Sequence, residues 1–158
     1  MDKPVYIGQA VLDLSKLIMY RLRYVHLLSY AERLGGIIKV VAGDTDSFFL
    51  EVRGISVDNQ LLPAMQADGL LDSSNYPHNH QLYSSVGKAA LGRVKNECPG
   101  VLIQDAVFLR PKCYSLLLAT GKHHKRAKGV QNCVLKTKIK HDDYIEVNGT
   151  FYNNPQRS

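Results

Sequence analysis

Two carboxylates with one residue between them, Asp44 and Asp46, lie at the centre of Ile37-Ile38-Lys39-Val40-Val41-Ala42-Gly43-Asp44-Thr45-Asp46-Ser47-Phe48-Phe49-Leu50-Glu51-Val52. Aspartate is depleted in strand interiors, so a pair clamped between two apolar, strand-like runs asks for a charge-based reason. At a spacing of two, both side chains project to one side of an extended chain. Ionised carboxylates this close repel one another unless a cation sits between them. A hard divalent ion such as Mg²⁺ takes oxygen ligands and commonly uses one or two carboxylates together with substrate phosphates. One reading of the pair is therefore a Mg²⁺ site for phosphoryl chemistry. The other is an ordinary turn, in which Asp44 and Ser47 hydrogen-bond nearby backbone N–H groups. Spacing alone leaves both open.

The elements that must position this pair are legible as patterns. Ile37 to Val41 and Phe48 to Val52 read as strands, with Gly43 to Ser47 as the tip of a hairpin. Residues 3–30 read as one long helix, with Pro4 near its start, where the missing N–H does no harm. Its stripe is Tyr6/Ile7, Ala10/Val11, Leu14, Leu17/Ile18, Arg21/Leu22 and Val25/Leu28. Leu34-Gly35-Gly36 ends that segment. Val57 to Ala67 reads as a short helix, started or kinked at Pro63, and residues 73–85 as a loop. That loop holds His78-Asn79-His80, which without a wider constellation reads as solvated chain. Arg93 to Glu97, Val101 to Leu109 and Cys113 to Thr120 read as strands punctuated by Pro99-Gly100 and Arg110-Pro111. Ala127 to Lys140 reads as a helix, and His141 to Ser158 as a loose tail.

Charge adds a second theme. The chain has 158 residues, a net charge of +6 and a sequence pI of about 9.2, which leans towards a polyanionic partner. Between Asp105 and Asp142 there is no acidic residue. The same interval carries Arg110, Lys112, Lys122, Lys125, Arg126, Lys128, Lys136, Lys138 and Lys140. A solvated face usually mixes signs; a single-sign run suits phosphate-backbone contact, because each neutralised phosphate releases counterions. Tyr114 adds a ring able to pack on a sugar or base. Cys98, Cys113 and Cys133 form no CxxC pair, which fits a reducing compartment and argues against a zinc ribbon or a disulfide framework. No apolar run reaches the roughly 18 residues of a membrane span, so no membrane partner is expected.

Gly43-Asp44-Thr45-Asp46-Ser47 between apolar strands resembles the third palm motif of family B DNA polymerases, Tyr-x-Asp-Thr-Asp-Ser. Other segments follow in the family's order. Lys3-Pro4-Val5-Tyr6-Ile7-Gly8 with Leu12-Asp13-Leu14-Ser15-Lys16-Leu17-Ile18-Met19-Tyr20 is similar to the palm helix upstream of that motif. Leu71-Asp72-Ser73-Ser74-Asn75-Tyr76-Pro77, His80, Leu82-Tyr83-Ser84 and Leu91-Gly92-Arg93-Val94-Lys95-Asn96-Glu97 resemble segments of the protein-primed branch. Leu109-Arg110-Pro111-Lys112-Cys113-Tyr114-Ser115 resembles the Lys-x-Tyr motif, and Ala127-Lys128-Gly129-Val130 the lead into the thumb. The likeness is to polymerases of Maverick/Polinton elements and related viruses, and covers roughly residues 3–145.

The order of elements gives an α+β fold, a long helix packed on an antiparallel sheet, then a small β region and a basic helix; the resemblance makes that sheet palm-type and its hairpin catalytic. It divides the chain into the C-terminal part of a palm (1–109), the Lys-x-Tyr segment with the start of a thumb (110–145) and a tail (146–158). Leu14, Ile18, Val40 and Phe48 are expected among the contacts between helix and hairpin. The implied activity is DNA-directed DNA synthesis, a nucleotidyl transfer assisted by two Mg²⁺ ions. The implied partners are primer-template DNA, deoxynucleoside triphosphates and a terminal protein primer, at a nuclear or viral replication site. Asp46 becomes the principal metal ligand and Asp44 a secondary one, with Thr45 and Ser47 holding the turn. Lys112 and Tyr114 meet the primer strand, and Lys125, Arg126 and Lys128 grip duplex backbone. The motif's opening aromatic is Ala42 here, which removes a ring that packs beside the primer terminus. The partner aspartate and the nucleotide-holding helix of the family's other palm motifs find no counterpart in these residues. Half a metal site predicts that the 158 residues alone do not extend a primer. The alternative is a non-catalytic DNA-binding remnant using residues 110–140, or a remnant with no selected role.

Overall fold

The structure, a computed structural model, describes residues 4–153, and the side chains of residues 4–148. It is a mixed α+β chain forming two compact units, Met1–Pro99 and Gly100–Ser158.

The first unit opens with the long helix, in three parts: α1 (Val5–Arg21), a π-helical stretch (Leu22–Leu27) and α2 (Leu28–Leu34). The π stretch explains where the apolar stripe departs from expectation. In a regular α-helix, residues five apart point to different sides. The widened turn lets Leu22 and Leu27 both face the core, followed by Tyr30, while Val25 and Leu28 stay exposed. Gly35 then takes φ +73°, and the Gly36 N–H donates to the Ala31 carbonyl at 3.0 Å, closing the helix end. A Cβ on Gly36 would lie 2.6 Å from the Ile55 side chain, so the second glycine is required by close approach.

The hairpin follows: β1 (Ile37–Asp44) pairs antiparallel with β2 (Ser47–Arg53). Burial alternates along β1, with Ile38 and Val40 inward. A second π turn (Val57–Leu61), capped when the Asn59 N–H donates to Ser56 Oγ, leads into α3 (Leu62–Ala67), which has Pro63 in its first turn. Leu61, Leu62 and Met65 meet Leu22, Leu27, Tyr30, Leu71, Tyr76 and Leu82 in one core, against which Ile38, Val40, Phe48 and Val52 pack. Two short strands, β3 (Leu71–Asp72) and β4 (Val94–Lys95), pair in parallel. The loop between them is held by Asp72. Its carboxylate, 4 % exposed, accepts from the Ala89 and Ser74 N–H groups at 3.0 Å and lies 3.3 Å from Lys95 Nζ. His80 and His78 pack at a tilt against the rings of Tyr76 and Tyr83 in that loop, a packing role.

The expected burial of Leu14 and Ile18 is not found: they are 60 % and 42 % exposed, and no residue of α1 is buried. The reason is length. Thirty helical residues extend about 45 Å, whereas an eight-residue strand reaches about 26 Å. β1 meets α2, the π stretch buries Leu22 and Leu27 in the core shared with Leu61, Leu62 and Met65, and the apolar side chains of α1 are left at the surface.

In the second unit β5 (Ile103–Arg110), β6 (Cys113–Leu118) and β7 (His123–Ala127) form an antiparallel sheet in that order. α4 (Asn132–Thr137) lies against β7, and α5 (His141–Asn153) against β5 and β6. Two expectations are corrected here. The basic helix is much shorter than Ala127 to Lys140: a turn with Gly129 at φ +93° follows β7, and the helix runs only over Asn132–Thr137. Ahead of it, a turn at Gly121 folds His123 to Ala127 back as a strand onto the edge of β6, whose backbone groups need partners. The loose tail is a helix over His141–Asn153. Asp142 and Asp143 sit in its first turn, where acids suit the helix dipole, and Asp143 accepts from the Lys140 N–H at 2.8 Å. Residues 154–158 of the expected tail lie outside the described residues. All three cysteines are free, and no helix among the described residues is long and apolar enough to cross a membrane.

Candidate functional site

The β1–β2 hairpin closes in two residues, since Asp44 pairs with Ser47. Thr45 takes φ +59°, and the Asp46 N–H donates to the Asp44 carbonyl at 2.7 Å across it. That is a γ-turn of the rare, positive-φ kind. A β-branched residue there is a genuine outlier, costing on the order of 1–3 kcal/mol. Ser47 Oγ donates to the Asp44 carbonyl at 3.1 Å, and Thr45 Oγ1 lies 3.3 Å from Asp44 Oδ1. Thr45 and Ser47 therefore brace the tip. Asp46 is exposed and Asp44 half-buried. A bulge at Val41 shifts the register between Val40 and Ala42, re-aiming the last residues of β1. As donors, the two carboxylates suit Mg²⁺ in kind. Among the described residues no group of three or more His, Cys, Asp or Glu is placed to hold a metal.

The basic segment is organised by the second sheet. Arg110 pairs with Cys113, so Pro111 and Lys112 fill the turn between β5 and β6, with Lys112 at φ +59°. The Lys128 N–H donates to the Lys112 carbonyl at 2.9 Å. Tyr114 pairs with Phe108 on one side and Arg126 on the other, and directly opposed residues share a face. The structure thus gathers Lys112, Tyr114, Arg126 and Lys128 at one end of the sheet. Lys125 is not with them. It pairs with Ser115 on the opposite face, and its Nζ reaches the Ile139 carbonyl.

One constellation has no counterpart in the sequence reading. Ser115 Oγ is 2.7 Å from His141 Nδ1, and His141 Nε2 is 3.2 Å from Asp105 Oδ2. The residue types are those of a hydrolytic relay, but Ser115 is 0 % exposed, so its hydroxyl meets no substrate. The trio ties the start of α5 to β5 and β6. The hydrogen bond from His141, with that from the Ala106 N–H, holds the Asp105 carboxyl below the usual carboxylate range. The residues are scattered over 36 positions, and only the pairing of β5 with β6 brings them together. Asp72 is depressed more strongly, chiefly by the Ala89 and Ser74 N–H groups; it too is a structural clamp.

Comparison with protein-family models, with curated proteins and with solved structures finds no match to this chain.

Proposed function

We propose that this chain is the second half of a family B DNA polymerase palm with the start of its thumb, of the protein-primed kind. Asp46 and Asp44 supply one side of a two-Mg²⁺ centre that works on primer-template DNA and deoxynucleoside triphosphates, and a carboxylate from a separate palm element supplies the other. The observation that carries this reading is the hairpin tip: a strained Thr45 sits between two carboxylates at the end of two apolar strands. A turn with no task has cheaper sequences available, and such strain collects where geometry serves function. The exposed apolar side of α1, with Ile7, Val11, Leu14 and Ile18, suits a helix that packs against further palm structure.

Titration with Mn²⁺, followed by NMR, tests the metal half. Selective broadening of the Thr45 to Ser47 amide signals is expected, and its loss in the Asp44→Asn/Asp46→Asn double variant. Uniform broadening across the chain would sink the assignment. The chain alone is expected to give no primer extension in Mg²⁺; synthesis by the purified 158 residues would refute the half-site. A second reading, a DNA-holding remnant without chemistry, is favoured by the cations at the end of the β5–β6–β7 sheet, which need no metal. Salt-dependent DNA binding with no Mn²⁺ effect at the hairpin would select it.

A further inference from the structure

One side of α1 is apolar, periodic and uncovered. Ile7, Val11, Leu14 and Ile18 recur at steps of four, three and four, and are 42–60 % exposed. That is the seam spacing of a coiled coil, with β-branched Val11 and Ile18 in one set of positions and Ile7 and Leu14 in the other. Small residues flank it. A Cβ on Gly8 would meet nothing within 4 Å, and Ser15 Oγ already donates to the Val11 carbonyl at 2.8 Å. A glycine inside a helix is unfavourable, and its own chain gives Gly8 no neighbour to accommodate. The opposite side of α1 is polar and paired within itself: Gln9 donates to Asp13 at 3.1 Å, and Lys16 lies 3.5 Å from the same carboxylate.

The direction of the seam limits what can cover it. Leu22 follows Ile18 by four residues and donates its N–H to the Ile18 carbonyl, so it points to the same side. Leu22 is buried in the unit's core. The seam is therefore the core-facing side of the helix, carried forward past the core, and it is complementary to a second helix of its own kind. Laid parallel, two copies would bring two cores to the same place and set Arg21 against Arg21 at the next seam position. Laid antiparallel, each core comes to the N-terminal end of the other helix, and the two Arg21 side chains lie about 25 Å apart. We propose that α1 pairs antiparallel with α1 of a second copy, Ile7 against the partner's Ile18 and Val11 against the partner's Leu14. A two-fold contact of this kind closes at a dimer. Its four layers span only about 17 Å, so the dimer is small and weak. The inference goes beyond the polymerase reading and does not depend on its metal site; further palm structure and a second copy compete for the same face.

Sedimentation equilibrium of the intact chain, from about 1 to 100 µM, tests this. The mass is expected to rise from 17.7 kDa towards twice that, with the amides of α1 gaining protection over the same range. Leu14→Ala/Ile18→Ala is expected to weaken association about tenfold or more with an unchanged melt of the core. Both side chains are exposed in the single copy, and alanine is the better helix former, so the loss would not come from melting α1. Lys16→Ala, on the polar side, should dimerise like the parent. Under mild oxidation, Ile7→Cys mixed with Ile18→Cys should give a disulfide-linked dimer that neither gives alone, with the parent's three cysteines as the control. A mass of 17.7 kDa at every concentration overturns the proposal and leaves the face to further palm structure. Association that survives Leu14→Ala/Ile18→Ala uses another surface and overturns it too. Linkage by either cysteine variant alone overturns the antiparallel order. Asp44→Asn/Asp46→Asn should dimerise like the parent, so failure here and failure of the metal site are separate results.

Discussion

The chain has two hairpins whose tips carry opposite charge, and both tips are strained at a residue that is not glycine. Asp44-Thr45-Asp46-Ser47 closes β1–β2 with Thr45 at φ +59°; Arg110-Pro111-Lys112-Cys113 closes β5–β6 with Lys112 at φ +59°. Their support differs. The acidic tip is braced by hydrogen bonds from its own neighbours, Thr45 and Ser47. The basic tip is held from outside: by β7 through the Lys128 N–H, and farther back by His141, which locks α5 across β5 and β6. Local bracing leaves the shape of the acidic tip to the turn's own residues. Remote bracing ties the shape of the basic tip to the packing of β7 and α5.

Removing the outside support breaks the contrast, with the largest effect. His141→Ala leaves Ser115 buried and deprives Asp105 of its donor; a loss of about 2–4 kcal/mol is expected from the unmet hydrogen bonds and the cavity. Urea unfolding measures it, and hydrogen exchange should show β5 and β6 losing protection while β1 and β2 keep theirs. Equal loss in both hairpins would remove the distinction.

Smaller effects sharpen it. Thr45→Gly relieves a positive φ that a β-branched residue tolerates badly, so a gain of about 1 kcal/mol is expected. Lys112→Gly should gain only a few tenths of that, because an unbranched residue enters the left-handed region more easily. Thermal melts of both variants test the order; a larger gain at Lys112 reverses the comparison.

The smallest effect is in pH. The folded-state pKa of Asp105 is depressed, first by the His141 hydrogen bond. Its contribution is present above the unfolded value near 4 and is lost as pH falls through the folded value. The side chain is half exposed, so solvent mutes the effect. Comparing acid unfolding of the parent with that of Asp105→Asn isolates it: the variant should lack this part of the acid dependence in β5 and β6, with β1 and β2 unaffected. An identical acid profile would mean that His141 and Asp105 are neighbours without coupling.

The β1–β2 hairpin was legible because alternation and a polar tip are local signals, and they locate its strands to within three residues. The mixed α+β class and the start and end of the long helix were legible for the same reason. The burial of that helix was not. Its stripe of apolar residues states which side can be buried, and the reach of the neighbouring strands decides how much of it is. The π stretch was equally hidden: Leu22, Leu27 and Tyr30 follow no single period, so the regular stripe chose Val25 and Leu28. His123 to Ala127 became a strand because β6 offered an edge, a tertiary demand that four polar residues and an alanine do not advertise. Of the candidate site, Asp44, Asp46, Lys112 and Tyr114 were visible from residue type and spacing. The face that separates Arg126 from Lys125 depends on register with β6, and the His141 lock depends on a contact across 36 residues.

The widened turn at Leu22 to Leu27 also divides one continuous helix into two thermodynamic regimes. Beyond it, α2 is held by the core. Before it, α1 is a 17-residue helix with no buried residue, close to the length at which helices in water are marginal. Along a single unbroken run of backbone hydrogen bonds, amide protection should therefore rise abruptly after Arg21, making the π turn the border of a separately melting segment.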